Sequence, residues 1–397
     1  MENRIHQQEQ QGKRLAILGS TGSIGRQALE VLRQHPGAFV VEVLAALENW
    51  SLLIEQALEF KPRAVVIARE GLYEKVADAL RNEQIQVYAG LQSVKEIAGS
   101  GNIDLVLLAV VGSAGLEPAL AAIEAGTDLA LANKESLVSG GSLLMRAAKK
   151  SGSAILPVDS EHSAVFQCLR GERHANIEKV ILTASGGPFR TFSSGQLEKV
   201  SPAQALQHPN WNMGCKISID SASLMNKGLE LIEARWLFGL DPAQLEVVIH
   251  PQSIVHSMVQ FTDGSIKAQL GLPDMKTPIM YALSWPKRMH SLFPRFSFSD
   301  YPRLDFEPAD PHRFPNLRIA MQAMQRSGNV PCVMNAANEV AVAAFLQKKL
   351  RFMEMPELIE QVIQKVVYIP EPALEDILQS DRQARVYAKE LLSKYKI

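Results

Sequence analysis

The chain is short of everything that marks a secreted, membrane-spanning or nucleic-acid-binding protein. It has three cysteines, Cys168, Cys215 and Cys332, odd in number and far apart. They give neither a disulfide framework nor a CxxC metal or redox pair, and they suit a reducing compartment. No apolar run is long enough for a bilayer; the longest, around Ile103 to Val111, reads as a buried strand. An excess of one charge is missing too: 41 Lys and Arg meet 42 Asp and Glu, so no global field points to nucleic acid or an anionic membrane. The opening stretch, MENRIHQQEQQGKR, is polar, lacks an apolar h-region and contains Glu2 and Glu9. That composition is neither a secretory signal nor a transit peptide, and a cytoplasmic location is the expectation. Repeats and low-complexity tracts are absent as well.

What is present is an ordinary globular composition, 47% hydrophobic over 397 residues, with room for two or three domains. Over 13–157, apolar runs such as LAILG, VVEVLAAL, AVVIA, DLVLLAV and DLALA alternate with amphipathic segments. This rhythm predicts a Rossmann-like, doubly wound parallel sheet covered on both faces. Over 158–289 the rhythm changes. KVILTAS and CKISIDS read as strands, and EVVIHPQSIVHSMVQF, the turn TDGS and IKAQL read as antiparallel strands with a hairpin. A central α/β catalytic domain with an open sheet is expected there. Segment 290–315 interleaves Pro294, Pro302, Pro308, Pro311 and Pro315 with Phe293, Phe296, Phe298, Phe306 and Phe314. It reads as an extended connector packed on the body, because a disordered linker would lack the aromatics. Segment 316–397 reads as a four-helix bundle, its first helix stopped by Gly328.

Gly19-Ser-Thr-Gly22-Ser-Ile-Gly25 follows an apolar strand and opens a helix. Glycines there allow a tight turn and close approach of a pyrophosphate, which the helix N-terminus favours electrostatically. Asn133, Lys134 and Glu135 follow the strand-like DLALA, at the end of a strand where ligands bind in such sheets. Lys134 could equally be a solvated surface lysine.

A second group of residues suits a metal. In an extended strand, positions i and i+2 share a side, so Asp159 and Glu161 of LPVDSEH are expected to project together. Such a like-charged pair invites a hard divalent cation, although a solvated acidic loop has the same composition. Asn226, Lys227 and Glu230 share a helix face, and Glu230 could join the two carboxylates. A plain helix would make Lys227 and Glu230 a weak surface pair, but Gly228 inside the helical pattern has no obvious structural gain. Ser221 sits at an expected strand end, suited to capping or to phosphate. Ser185-Gly186-Gly187 can offer amides and a hydroxyl to an anion. QHPNWNMGCK has the character of a lid, with Trp211 either anchoring or covering and Gly214 as a hinge. His208 reads either as an oxygen ligand or as a cap; His250 and His256 read as structural.

The segments GSTGSIG, LANKES, LPVDSEH, ASGGPFR, HPNWNMGCKISIDSASLMNKGLE, VIHPQSIVHSMV, LPDM and NAANEVAVAAF resemble, nearly end to end, the 1-deoxy-D-xylulose 5-phosphate reductoisomerase family. The resemblance implies NADPH binding by the N-terminal domain, a central catalytic domain, a helical C-terminal bundle and a homodimer joined through the central sheet. It implies a small phosphorylated sugar as substrate, a place in non-mevalonate isoprenoid synthesis and sensitivity to fosmidomycin. Matched position by position, Asp159, Glu161 and Glu230 hold Mg²⁺ or Mn²⁺, with Co²⁺ admitted. Lys134, Ser160, Glu161, Ser185, His208, Trp211, Ser221, Asn226, Lys227 and Glu230 meet the substrate, with Ser185, Ser221, Asn226 and Lys227 on its phosphate; Lys134, Asp159, Glu161 and Glu230 are the catalytic residues. Thr21, Gly22, Ser23, Ile24, Asn133, Glu135 and Gly214 meet the nucleotide; Glu48 and Asn49, read from their place just after the second strand, stand where a nucleotide's ribose is met.

Two departures from the family pattern stand out. Leu47-Glu48-Asn49 replaces a Gly, a small or basic residue and Asn, and Cys215 replaces a usually basic residue beside the lid. An acid at Glu48 is where NAD enzymes bind the ribose 2′-hydroxyl, so NADH is admitted beside NADPH and the preference is expected to be narrow. Two rival readings are a metal-assisted sugar-phosphate dehydrogenase without carbon migration and a nucleotide-binding redox sensor.

Overall fold

The structure is a computed structural model and describes residues 12–211 and 213–395. The N-terminal stretch read above as lacking a signal lies largely outside them, as does Asn212 of the expected lid. Contacts divide the chain into two units. The first holds the residues up to Ser136, Leu144–Ser163 and Asp274–Phe293; the second holds Leu137–Leu143, Ala164–Pro273 and the remainder from Pro294.

The first unit is built on seven parallel strands: β1 (Lys13–Leu18), β2 (Phe39–Ala46), β3 (Ala64–Ile67), β4 (Gln86–Ala89), β5 (Leu105–Leu108), β6 (Asp128–Leu131) and β7 (Ile155–Pro157). Their order is β4-β3-β2-β1-β5-β6-β7. The chain builds outward from β1 to β4, then returns to lay β5 on the other side of β1. That reversal opens a crevice at the carboxyl ends of β1 and β5, the usual ligand position in such sheets. Strands β3 and β5 are buried at every position, as expected where helices cover both faces. One covering helix, Ser23–Arg33, buries Ala28, Leu29, Val31 and Leu32. Lys276–Ser284, read in the sequence at the end of the catalytic segment, packs against that helix.

The second unit carries a mixed sheet of β8 (Ile177–Ala184), β9 (Leu245–Ile249), β10 (Val255–Phe261), β11 (Ile266–Leu270) and β12 (Glu307–Pro308), ordered β11-β10-β8-β9-β12. The expected hairpin joins β10 to β11 through TDGS. Gly264 takes φ 84° there, and Phe261 N–H donates to Ser265 O at 2.9 Å. The proline-rich connector supplies β12, which pairs with β9. Four helices follow, Pro315–Arg326, Val330–Leu346, Glu354–Lys365 and Leu374–Leu392, close to the expected bundle. Val330–Leu346 is buried nearly all round, as a central helix must be.

Two expected strands are wrong, the extended run through Asp159 and Glu161, which opens the helix Ser160–Cys168, and CKISIDS. CKISIDS is not a strand but the helix Cys215–Ala222. Its apolar-polar alternation gave the strand reading, yet Ser218, Ile219, Asp220 and Ala222 are all buried. Asp220 stays buried because Asn338 Nδ2 donates to it at 2.8 Å and Lys216 pairs with it at 2.8 Å. Among the described residues no helix is long and apolar enough to cross a membrane.

Candidate active site

In the first unit the glycine turn sits at the reversal point of the sheet. Gly19 and Ser20 N–H both donate to Ala45 O at the end of β2, each at 2.9 Å. Buried Gln56 Nε2 donates to Ser20 O at 3.0 Å and fixes the turn from a second helix. A Cβ on Gly19, at φ 96°, would lie 2.5 Å from Ala109 O, and one on Gly25 would lie 2.4 Å from Gly19 O. Both glycines are therefore demanded by close backbone approach. Gly22 is the N-cap of Ser23–Arg33 and provides no side-chain cap, so the helix's first amides are oriented for an anion. Thr21, Ser23 and Ile24 flank that opening.

Asn133 caps the helix Lys134–Ser151, its Oδ1 accepting from Ser136 N–H at 2.9 Å. Its Nδ2 donates to Val110 O at 2.8 Å and Gly112 O at 2.9 Å, clamping the loop after β5. It also reaches buried Glu135 at 3.3 Å. Lys134 is buried, and its Nζ lies 2.8 Å from Asp159 Oδ2, which removes the surface-lysine reading.

Asp159 and Glu161 do not share the side of a strand. β7 ends at Pro157, and Asp159 instead caps the helix Ser160–Cys168: its Oδ1 accepts from Glu161 N–H at 3.1 Å and its carbonyl from Ser163 N–H at 2.8 Å. Two acids at a helix N-terminus are favoured by the local dipole. Ser160 Oγ donates to Glu161, and wholly buried His162 places Nδ1 3.3 Å from Asp159 Oδ1. His162 was absent from the candidates read in the sequence, although DSEH displays it; only the helical turn brings it back to Asp159. Glu48, 56% exposed, pairs with Arg69 at 3.1 Å, and Asn49 Oδ1 accepts from Leu52 N–H at 3.3 Å as a helix cap.

In the second unit, Asn226, Lys227 and Glu230 do share one helix face, on Met225–Phe238. Glu230 is 1% exposed, with Asn226 Nδ2 donating to one carboxylate oxygen and Lys227 Nζ to the other. Gly228 has a structural reason after all. A Cβ there would lie 2.3 Å from Ala320 Cβ on Pro315–Arg326, so it is a packing glycine. Ser221 lies in the last turn of Cys215–Ala222 rather than at a strand end.

His208 is held in a definite tautomer. Its Nδ1 accepts from Asn210 N–H at 3.1 Å and Trp211 N–H at 3.0 Å, so Nε2 carries the proton and donates to Ser185 Oγ at 2.9 Å. Ser185 Oγ also accepts from Gly187 N–H at 3.1 Å. With both acceptor positions engaged, the serine's own proton is directed to a third partner, as anion binding requires. Burial pushes the His208 pKa down to about 4, so the ring is neutral near pH 7. Residues 207–211, 213 and 214 form neither helix nor strand. Asn210, which the sequence reading passed over, fastens this stretch through Nδ2 to Pro251 O at 2.6 Å and Ser253 Oγ at 3.0 Å. The Trp211 ring lies 6.4 Å from that of His256. Gly214 caps Cys215–Ala222 without strain, at φ −63°. His250 is structural as expected, donating from Nδ1 to Asp305 O at 2.8 Å. A cavity of about 800 Å³ lined by Arg190, Asn210, Arg303 and Asp305 contains none of the phosphate candidates.

Three family models match this chain. The one described as 1-deoxy-D-xylulose 5-phosphate reductoisomerase covers residues 15–141, and two for its C-terminal domain cover 155–238 and 270–387. The chain belongs to the 1-deoxy-D-xylulose 5-phosphate reductoisomerase family. It is 55% identical to the reductoisomerase of Bacteroides fragilis over 96% of this chain and 98% of the relative. To that of Pelotomaculum thermopropionicum it is 51% identical over 94% and 97%. The Zymomonas mobilis reductoisomerase in complex with NADPH superimposes with a TM-score of 0.91, 43% identity and coverage of 96% and 99%. A reductoisomerase in complex with NADPH, fosmidomycin and magnesium gives a TM-score of 0.91 at 39% identity, covering 96% and 98%. Membership of the reductoisomerase family over this length removes the redox-sensor reading.

Proposed function

We propose that the protein converts 1-deoxy-D-xylulose 5-phosphate to 2-C-methyl-D-erythritol 4-phosphate, with NADPH and a divalent ion, Mg²⁺ or Mn²⁺ with Co²⁺ admitted. The observation that carries this reading is the family match over 96% of the chain. We assign the ion to Asp159, Glu161 and Glu230. The donor chemistry fits a hard cation: acceptor-only carboxylates, one of them at 1% exposure and already in cationic company. When bound, the ion supplies polarisation of the substrate ketone, and NADPH supplies the hydride for the rearranged aldehyde.

The chain's own residues bind and orient. Lys134 holds Asp159 in position through its ammonium. The directed Ser185 hydroxyl, with Ser221, Asn226 and Lys227, takes the phosphate. His208 positions Ser185, and Ser160 and Trp211 meet the sugar. Anchoring the phosphate away from the reacting carbons supplies orientation energy and draws His208 and Trp211 over the site against water. Thr21, Gly22, Ser23 and Ile24 receive the pyrophosphate, and Asn133, Glu135, Gly214, Glu48 and Asn49 meet the rest of the nucleotide. The functional division 13–157, 158–289, 290–315 and 316–397 belongs to the same reading.

We also assign a cytoplasmic location and a homodimer. The dimer is supported by β11, an edge strand of the second sheet whose first three residues are exposed, since an open strand edge is a template for pairing. The deciding experiment follows coenzyme oxidation with 1-deoxy-D-xylulose 5-phosphate and Mg²⁺. Turnover should require both, and turnover that persists after exhaustive chelation would sink the reading.

A further inference from the structure

Glu48 stands where an acid ordinarily binds the ribose 2′-hydroxyl and repels a 2′-phosphate. The structure shows what answers it. Beyond the ends of β2 and β3 the two chains stay paired, with Ala68 N–H donating to Ala46 O at 2.8 Å and Arg69 N–H to Leu47 O at 2.9 Å. This extension sets Arg69 beside Glu48, with Nη1 3.1 Å from Oε2. The pair lies at the carboxyl end of the sheet, next to the glycine turn, whose amides bond Ala45 O three residues before Glu48. Arg69 and Glu48 are 65% and 56% exposed. An ion pair so open to water contributes little to stability, and a ligand can reach both members.

We infer that Arg69 determines coenzyme specificity: its guanidinium offsets Glu48 and donates directly to the adenosine 2′-phosphate. The inference rests on the reading of the protein as an NADPH enzyme. A guanidinium carries five N–H donors in a rigid fork, more than one carboxylate can take, and the fork matches phosphate oxygens. The acid after the second strand thus has its counter-ion on the segment just past the third strand. NADH has no 2′-phosphate, so Arg69 adds nothing to its binding.

The test measures dissociation constants by calorimetry for NADPH, NADH, 2′,5′-ADP and 5′-AMP at fixed, modest ionic strength. Arg69→Ala should weaken NADPH and 2′,5′-ADP by about tenfold or more, and NADH and 5′-AMP by less than about twofold. Arg69→Lys, which keeps charge but loses the fork, should fall between. In a Glu48→Ser background the Arg69→Ala loss should persist, because the contact is direct. A loss that vanishes there would reduce Arg69 to a shield and overturn the contact. Equal changes for both dinucleotides, or none, would overturn the specificity role. Failure of the unaltered protein to bind either dinucleotide would instead overturn the coenzyme reading, before any variant is made.

Discussion

A neutral imidazole is what the Ser185 site needs, because only a ring that accepts at Nδ1 can hold two loop amides and still donate to the serine. Burial sets His208 at about 4 against an ordinary 6.5, and the sign of the consequence follows from proton binding. Above about 6.5 both folded and unfolded chains carry a neutral ring, and the contribution to stability is whole. As pH falls from there to about 4, the unfolded chain takes up a proton that the folded one refuses, so stability is progressively lost. The melting temperature should therefore drop over that window, and drop less in His208→Asn. Nitrogen NMR of the ring should show Nδ1 bare and Nε2 protonated down to about pH 5; a ring that titrates near its ordinary value would refute the burial shift, and a proton on Nδ1 of the neutral ring would refute the tautomer. Residues such as His208 and Ser185 were visible in the sequence as polar groups near strand ends and loops. Their bonds were not, since Ser185 and His208 lie 23 positions apart.

At the scale of elements, periodicity told most of the story where packing is uniform. Parallel strands covered on both faces are continuous apolar runs, and those were readable. CKISIDS was not, because its register depends on a buried aspartate satisfied by Asn338, 118 residues away. The Asp159 and Glu161 pairing was expected for a reason that proved wrong: a helix cap, not a pleat, brings them together. Gly228 teaches the same lesson from the other side. It looked functional because nothing local explained it, and its explanation is a neighbouring helix. Gly228→Ala should cost about 1–3 kcal/mol by overpacking and lower the melting temperature. Ala320→Gly in the same chain should restore much of that loss by returning the space. A Gly228→Ala protein as stable as its parent would show that the two helices can part without cost.

At the scale of the whole molecule, the return of Asp274–Phe293 to the first unit was unreadable. Lys13 Nζ donates to Leu283 O and Trp285 O, each at 3.0 Å, across some 270 positions, and no local pattern records such a contact. The order of the first sheet has a sharper consequence for function. The glycine turn follows β1 and Asp159 follows β7, with β5 and β6 between them. Three strand spacings of about 4.8 Å put those strand ends about 14 Å apart. Coenzyme binding and ion binding on this unit should therefore be separable. Neither core depends on the proposed ligands, since Asp159 is already paired with Lys134 and Glu230 with Lys227. Removing divalent ions with a chelator should abolish turnover while leaving the NADPH dissociation constant and the circular dichroism spectrum unchanged. Asp159→Asn, which keeps the cap but loses the charge, should behave as the chelated protein does and should not be rescued by excess Mg²⁺. If chelation released NADPH or unfolded the chain, the ion would be holding structure or coenzyme. If Asp159→Asn turned over normally across a Mg²⁺ titration, the carboxylate would not be an ion ligand.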